Sequence, residues 1–69
     1  MRRVPVQSRA IASVGYDRAT NVLELELAEG EVYQYYAVPR RVHQELLTAD
    51  SIGRYFLTEI RGRYGYRRM

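Results

Sequence analysis

The sequence contains no cysteine and no lysine, and it has a single histidine. Without cysteine there is no disulfide framework, zinc knuckle or thiol nucleophile. Without lysine there is no Schiff-base chemistry at a lysine amine. The one histidine, His43, cannot supply a metal site of histidine and cysteine ligands. These absences argue against a bound metal or cofactor.

Long apolar runs are also missing. No run approaches the roughly 18 residues of a membrane-spanning helix, and residues 1–10 carry three arginines and no apolar stretch typical of a signal peptide. We therefore expect a cytoplasmic protein with no membrane partner. Valine, isoleucine, leucine and phenylalanine make up 17 of the 69 residues, which predicts a folded domain. Its core is small, so some of the seven tyrosines must belong to it.

All eleven basic residues are arginines, and they are concentrated at the two ends of the chain. The net charge is +3 over residues 1–23, −4 over residues 24–50 and +4 over residues 51–69. An anionic partner should therefore meet the ends of the chain. Arginine binds phosphate with a planar, bidentate fork and stacks on bases. A codon preference for arginine would explain the same composition without a binding role.

Three antiparallel strands are predicted. Residues 9–16 are rich in β-branched and aromatic side chains, and residues 22–27 alternate leucine with glutamate, which is typical of a half-buried strand. A third strand is predicted over residues 31–38. In this arrangement Glu24 and Glu26 lie on a solvated outer face, and the leucines face the core.

The loop between the second and third strands decides which tyrosines are buried. A two-residue turn would place Tyr33 and Tyr35 on the glutamate face. A three-residue turn, with Gly30 in a left-handed bulge position, places them on the leucine face. A lone glycine in the third position favours the second register. We therefore predict that Tyr33 and Tyr35 belong to the core and that Tyr36 lies outside.

Two short helices are predicted after the strands. Pro39 opens the first helix, and Asp50 or Ser51 caps the second, which ends at Gly62. Their apolar stripes are Val42, Leu46 and Ala49 in the first helix and Ile52, Phe56 and Ile60 in the second.

The predicted fold class is α+β: a three-stranded antiparallel meander followed by two short helices packed on one face (β-β-β-α-α). Residues 1–69 form one domain, with a basic arm at residues 1–8 and a basic, aromatic tail at residues 63–69. His43 is expected on the solvent side of the first helix, so no Ser-His-acid arrangement is expected. No glycine-rich phosphate loop is present. We predict a protein that is not an enzyme.

One ordered set of residues extends along nearly the whole chain. It consists of Ser8, Ile11, Gly15-Tyr16-Asp17, Leu23-x-Leu25-x-Leu27, Gly30, Tyr33-x-Tyr35, Val38-Pro39, Ala49-x-Ser51-x-Gly53, Phe56, Ile60 and Tyr64. In this order the residues resemble the KTSC domain, named for the C-terminal extension of some lysyl-tRNA synthetases and also found as free-standing bacterial proteins. The resemblance implies RNA as a partner, through the synthetase context, and implies no catalytic residues. Leu27 stands where the family commonly has an aromatic residue.

The candidate nucleic-acid site is rich in arginine and tyrosine. Its residues are Arg54, Arg61, Arg63, Tyr66, Arg67 and Arg68. Phosphates would meet the arginines and bases would stack on the tyrosine, as in the binding of single-stranded RNA. Arg54 and Arg61 are seven residues apart and are expected on one face of the second helix.

The alternative function is a protein-interaction or self-associating module. The first and third predicted strands would be sheet edges, which a partner protein or a second copy could pair in a homodimer. Val22, Val32 and Tyr36 would add a modest apolar patch on the outer face. Steep salt dependence of binding would favour the nucleic-acid hypothesis, and weak dependence would favour this one.

Overall fold

A computed structural model describes all 69 residues and contains a five-stranded antiparallel sheet with two helices. The strands are β1 (Arg3–Pro5), β2 (Ile11–Asp17), β3 (Val22–Leu27), β4 (Val32–Tyr35) and β5 (Tyr66–Arg68). They lie side by side in chain order. The helices α1 (Arg40–Thr48) and α2 (Ile52–Tyr55) follow β4, and α2 continues as a π-helical turn over Phe56–Ile60.

The prediction of three strands was wrong, because the arm and the tail each contribute a strand. β1 pairs with β2, and β5 pairs with β4. Each is only three residues long, so neither has an alternating pattern that would reveal it. They form by pairing with the free backbone groups of a neighbouring strand. As a result the first and third predicted strands are internal, and the sheet edges are β1 and β5.

The hairpin of β3 and β4 has the predicted register. Leu23 pairs with Tyr35 and Leu25 pairs with Tyr33. Gly30 adopts a φ of 103°, the left-handed conformation that the three-residue turn requires. Tyr35 is only 3% exposed, and Tyr33 packs partly buried against the core. Both tyrosines therefore lie on the leucine face, as predicted.

The helices cover the leucine face of the sheet. The core consists of Ile11, Val14, Leu23, Leu25, Tyr35, Val38, Val42, Leu46, Ile52, Phe56 and Ile60. The predicted apolar stripes are thus buried, apart from the half-buried Ala49. Ser51 caps α2, since its side chain accepts a hydrogen bond from the amide of Arg54 at 3.2 Å.

The outer face of the sheet is not the solvated surface that was predicted. Glu24 is only 8% exposed, because Arg3 of β1 lies over it and forms an ion pair. Gln34 Nε2 also donates to Glu24 Oε1 at 2.8 Å. Burial raises the pKa of Glu24, but hydrogen bonds from Gln34 and Arg3 and the charge of Arg3 outweigh it, so this pKa lies below its ordinary value. Arg3 Nε donates to Ser13 Oγ at 3.0 Å, and Ser13 Oγ donates to Glu26 at 2.9 Å.

Gly15 permits the close approach of β1 to β2. A Cβ at this position would lie 2.7 Å from the carbonyl oxygen of Arg2. We expect Gly15→Ala to displace β1, weaken the pair of Arg3 and Glu24, and lower the free energy of unfolding by about 2 kcal/mol in urea denaturation. Gly65→Ala is the matched control, because nothing lies within 4 Å of a Cβ there. Equal losses in the two variants would contradict this role of Gly15.

Candidate nucleic-acid interface

A cavity of about 260 Å³, the aromatic cavity, opens beside the inner face of β4 and β5. Its lining residues are Leu27, Glu31, Tyr33, Tyr35, Phe56, Arg61 and Tyr66. Four of these seven carry aromatic rings, so the cavity offers flat apolar surfaces of the kind on which bases stack.

Strand pairing brings the tyrosine rings of the aromatic cavity together. Tyr33 and Tyr35 are two residues apart on β4 and so project from the same face. Tyr66 of β5 pairs with Tyr35 of β4. The ring centroid of Tyr66 lies 5.5 Å from that of Tyr35 and 5.7 Å from that of Tyr33. Phe56 meets the ring of Tyr35 edge-on, at 5.6 Å and 80°. Tyr66 is 60% exposed and is the ring most accessible to a ligand.

The charged groups of the aromatic cavity come from Arg61, Glu31 and Arg68. Arg61 is exposed and forms no ion pair. Arg68 Nη2 lies 2.6 Å from Glu31 Oε2 at the rim. Burial raises the pKa of Tyr35, and the nearby Tyr33 and Tyr66 raise it further while Arg61 lowers it. The Tyr35 hydroxyl is therefore neutral near pH 7 and available as both donor and acceptor.

The structure gathers three of the six predicted site residues and leaves three elsewhere. Arg61 and Tyr66 line the aromatic cavity, and Arg68 lies at its rim through Glu31. The other three are Arg67, opposite Gln34 on the outer face; Arg63, whose Nε donates to the carbonyl of Thr58 at 2.9 Å; and Arg54, which lines two other cavities.

The expectation that Arg54 and Arg61 share a helix face was wrong. The amide of Arg61 donates to the carbonyl of Phe56, five residues earlier, at 2.9 Å. This is the wider hydrogen bonding of a π-helical turn, which spreads more residues over each turn than an α-helix. A spacing of seven residues then no longer returns to the same face, and the two arginines line different cavities.

The sequence does not predict that the core tyrosines also line the aromatic cavity. Its pattern places Tyr33 and Tyr35 in the core and predicts no role for Glu31. The signal was present, since the favoured hairpin register already placed both tyrosines on one face. What was lacking was β5, which brings Tyr66 beside them. Tyr64, in contrast, packs against the core as a partly buried ring.

His43 is not on the solvent side of its helix as predicted. Its imidazole is half-buried and stacks on the ring of Tyr16, with centroids 4.7 Å apart and an interplanar angle of 11°. Burial lowers the pKa of His43, so the ring is neutral near pH 7. No group of three or more histidine, aspartate or glutamate side chains lies together in a way that could hold a metal ion. None of the helices has the length and apolar character needed to cross a bilayer.

Comparison with known proteins identifies the family. Residues 7–64 match the family model of the KTSC domain. The chain belongs to the KTSC family. The crystal structure of a KTSC domain protein from Yersinia pestis superposes with a TM-score of 0.93 at 40% identity, covering 99% of this chain and 96% of that one. The resemblance seen in the sequence is thus confirmed.

KTSC relatives differ greatly in length. An uncharacterized protein of Stutzerimonas stutzeri is 50% identical over 56 residues, which cover 81% of this chain and 79% of that protein. A lysine–tRNA ligase of Trichormus variabilis is 39% identical over 54 residues, which cover 78% of this chain but 10% of the ligase. A KTSC domain therefore occurs both in small proteins and as a minor part of a large enzyme.

Proposed function

We propose that this KTSC protein is a non-catalytic, cytoplasmic module that binds single-stranded RNA at the aromatic cavity. The observation that carries the proposal is the grouping of three tyrosine rings with Arg61, an arginine that has no carboxylate partner. Stacking surfaces beside a free guanidinium group are the elements with which proteins hold unpaired bases and phosphates.

The exposed ring of Tyr66 would stack with one base at the mouth of the aromatic cavity. Arg61 and Arg68 would contact the phosphates on either side of that base, and Arg67 would add positive charge on the other face of β5. Only an unpaired base can enter such a cavity, because a paired base is stacked between its neighbours inside a duplex. The proposed ligand is therefore a single strand or an unpaired loop.

Charge and family context support RNA as the ligand. Residues 51–69 carry a net charge of +4, which attracts a polyanion to the part of the chain that holds Arg61, Tyr66 and Arg68. The relatives named lysine–tRNA ligase are enzymes whose name specifies an RNA substrate.

The test is fluorescence anisotropy with a labelled single-stranded RNA over a salt series. Contacts from Arg61, Arg67 and Arg68 to the phosphates of a single strand should give a log–log salt slope of about −2. Replacing these three arginines with glutamine should weaken binding at least tenfold and bring the slope close to zero. Arg63 stays unchanged, because it donates to the carbonyl of Thr58 in the π-helical turn.

The matched control replaces Arg2, Arg9 and Arg41 with glutamine. Both triple variants take the net charge from +3 to 0, so a difference between them reports position rather than total charge. Equal loss in the two variants would contradict the proposed site. No binding of the unsubstituted protein at low salt would contradict RNA binding, and would favour a protein partner at the edges formed by β1 and β5.

A further inference from the structure

A second cavity, the arginine cavity, lies between the turn that joins β2 to β3 and the start of α1. It has a volume of about 240 Å³ and is lined by Tyr16, Arg18, Arg40, His43 and Gln44. Each of the four other main cavities has at least one carboxylate in its wall, whereas this one has none. Its lining is therefore strongly positive.

The arginine cavity is built on a fixed support. The rings of Tyr16 and His43 stack in nearly parallel planes. The Tyr16 hydroxyl donates to the carbonyl of Val38, and Asn21 Nδ2 donates to that hydroxyl at 2.9 Å. The amide of Val38 also donates to the carbonyl of Asn21 at 2.9 Å. These bonds join the turn between β2 and β3 to the segment before α1. They therefore hold the backbone that carries Arg18 next to the backbone that carries Arg40.

The charges of the arginine cavity are not neutralised within the chain. Arg18 and Arg40 form no ion pair, whereas the neighbouring Arg41 is paired with Glu45. The carboxylate of Asp17 accepts a hydrogen bond from the amide of Ala19 at 2.9 Å, and Asp17 lines not this cavity but the adjacent one, which Arg18 also borders. Two arginines without a carboxylate partner thus line one cavity.

The remaining polar groups of the arginine cavity can donate hydrogen bonds. A neutral His43 carries one N–H and does not repel the two arginines, and Gln44 has an amide NH₂. Two guanidinium groups with neutral donors beside them match the charge and acceptor geometry of a phosphate.

We infer that the arginine cavity binds the phosphate group of a phosphomonoester, held by Arg18 and Arg40. The source of that phosphate is either a small molecule or the terminal phosphate of a nucleic acid. The inference does not depend on RNA binding at the aromatic cavity. The paired residues Tyr16, Leu23, Tyr35 and Tyr66 form one row from β2 to β5. The two cavities therefore lie toward opposite ends of this row, two to three strand spacings or about 10–14 Å apart.

The sole histidine provides a direct test by proton NMR. The ring signals of His43 are followed at pH 7 while sodium phosphate replaces sodium chloride at constant ionic strength. We expect a saturable change in chemical shift with a millimolar midpoint. Arg18→Gln and Arg40→Gln should each raise that midpoint at least threefold, and Arg9→Gln, in another cavity, should leave it unchanged. A non-saturating change, or equal midpoints in all variants, would overturn the inference.

Adenosine monophosphate and adenosine separate the two sources of the phosphate. Tighter binding of the monophosphate than of inorganic phosphate would support a nucleotide or a nucleic-acid end as the ligand. Equal binding would support recognition of the phosphate group alone. A saturable shift with adenosine and none with inorganic phosphate would overturn the inference, because binding would then rest on the base.

Discussion

Tyr35→Ala is expected to remove a large part of the stability of the domain at 25 °C. The Tyr35 ring is 3% exposed and contacts Phe56, Tyr33 and Tyr66. Removing a buried aromatic ring costs about 3–5 kcal/mol. A chain of 69 residues has a total stability of only about 3–10 kcal/mol. Circular dichroism during urea denaturation measures the loss.

Tyr35→Phe is the control for that experiment. It keeps the ring and removes only the hydroxyl, for which the structure shows no hydrogen-bond partner within the chain, so its cost should stay below about 1.5 kcal/mol. Similar losses in the two variants would contradict the view that packing of the ring, rather than its hydroxyl, stabilises the domain.

Arg3→Gln is expected to destabilise the protein at neutral pH and to weaken the contribution of Glu24 to its acid response. The pKa of Glu24 now lies below its ordinary value of 4.5. Its stabilising effect is therefore complete above pH 4.5 and is lost as the pH falls through the lowered value. Without Arg3, only the hydrogen bond from Gln34 and the N-terminal charge oppose burial, so this pKa rises and the carboxylate loses its ion pair, at a cost of about 2 kcal/mol at pH 7.

Urea denaturation from pH 7 to pH 3 distinguishes Glu24 paired with Arg3 from Glu24 without this partner. The unsubstituted protein should lose stability on acidification, and Arg3→Gln should recover part of its deficit as Glu24 binds a proton. Arg41→Gln, which breaks an exposed pair with Glu45, should follow the unsubstituted protein. A constant deficit in Arg3→Gln at every pH would show that Glu24 is not responsible.

The sequence predicted those strands and helices in which regularly spaced apolar residues are buried in the core. The leucine alternation of β3 located a strand because one of its faces is buried, and Gly30 specified the register because the turn requires a positive φ. The helical stripes were predictable for the same reason, since Val42 and Ile60 contact the core. In each case, burial of an apolar face produced the periodicity.

The remaining elements depend on contacts that leave no periodic signal. β1 and β5 are short edge strands, and missing β1 led directly to the wrong expectation that Glu24 is solvated. Missing β5 left Tyr66 in a loose tail, so the aromatic cavity was not predicted. The π-helical turn separated Arg54 from Arg61, and nothing in residue spacing indicates where such a turn occurs.

The position of Tyr66 on β5 would link the proposed RNA binding to local unfolding. β5 is attached at the edge of the sheet through few backbone bonds, including those donated by the amides of Tyr36 and Met69. Short edge elements of this kind detach far more often than the core unfolds. Each detachment removes one wall of the aromatic cavity, so a ligand bound there as proposed would hold the C-terminal strand in the sheet. Its affinity would be reduced by the fraction of molecules in which β5 is detached.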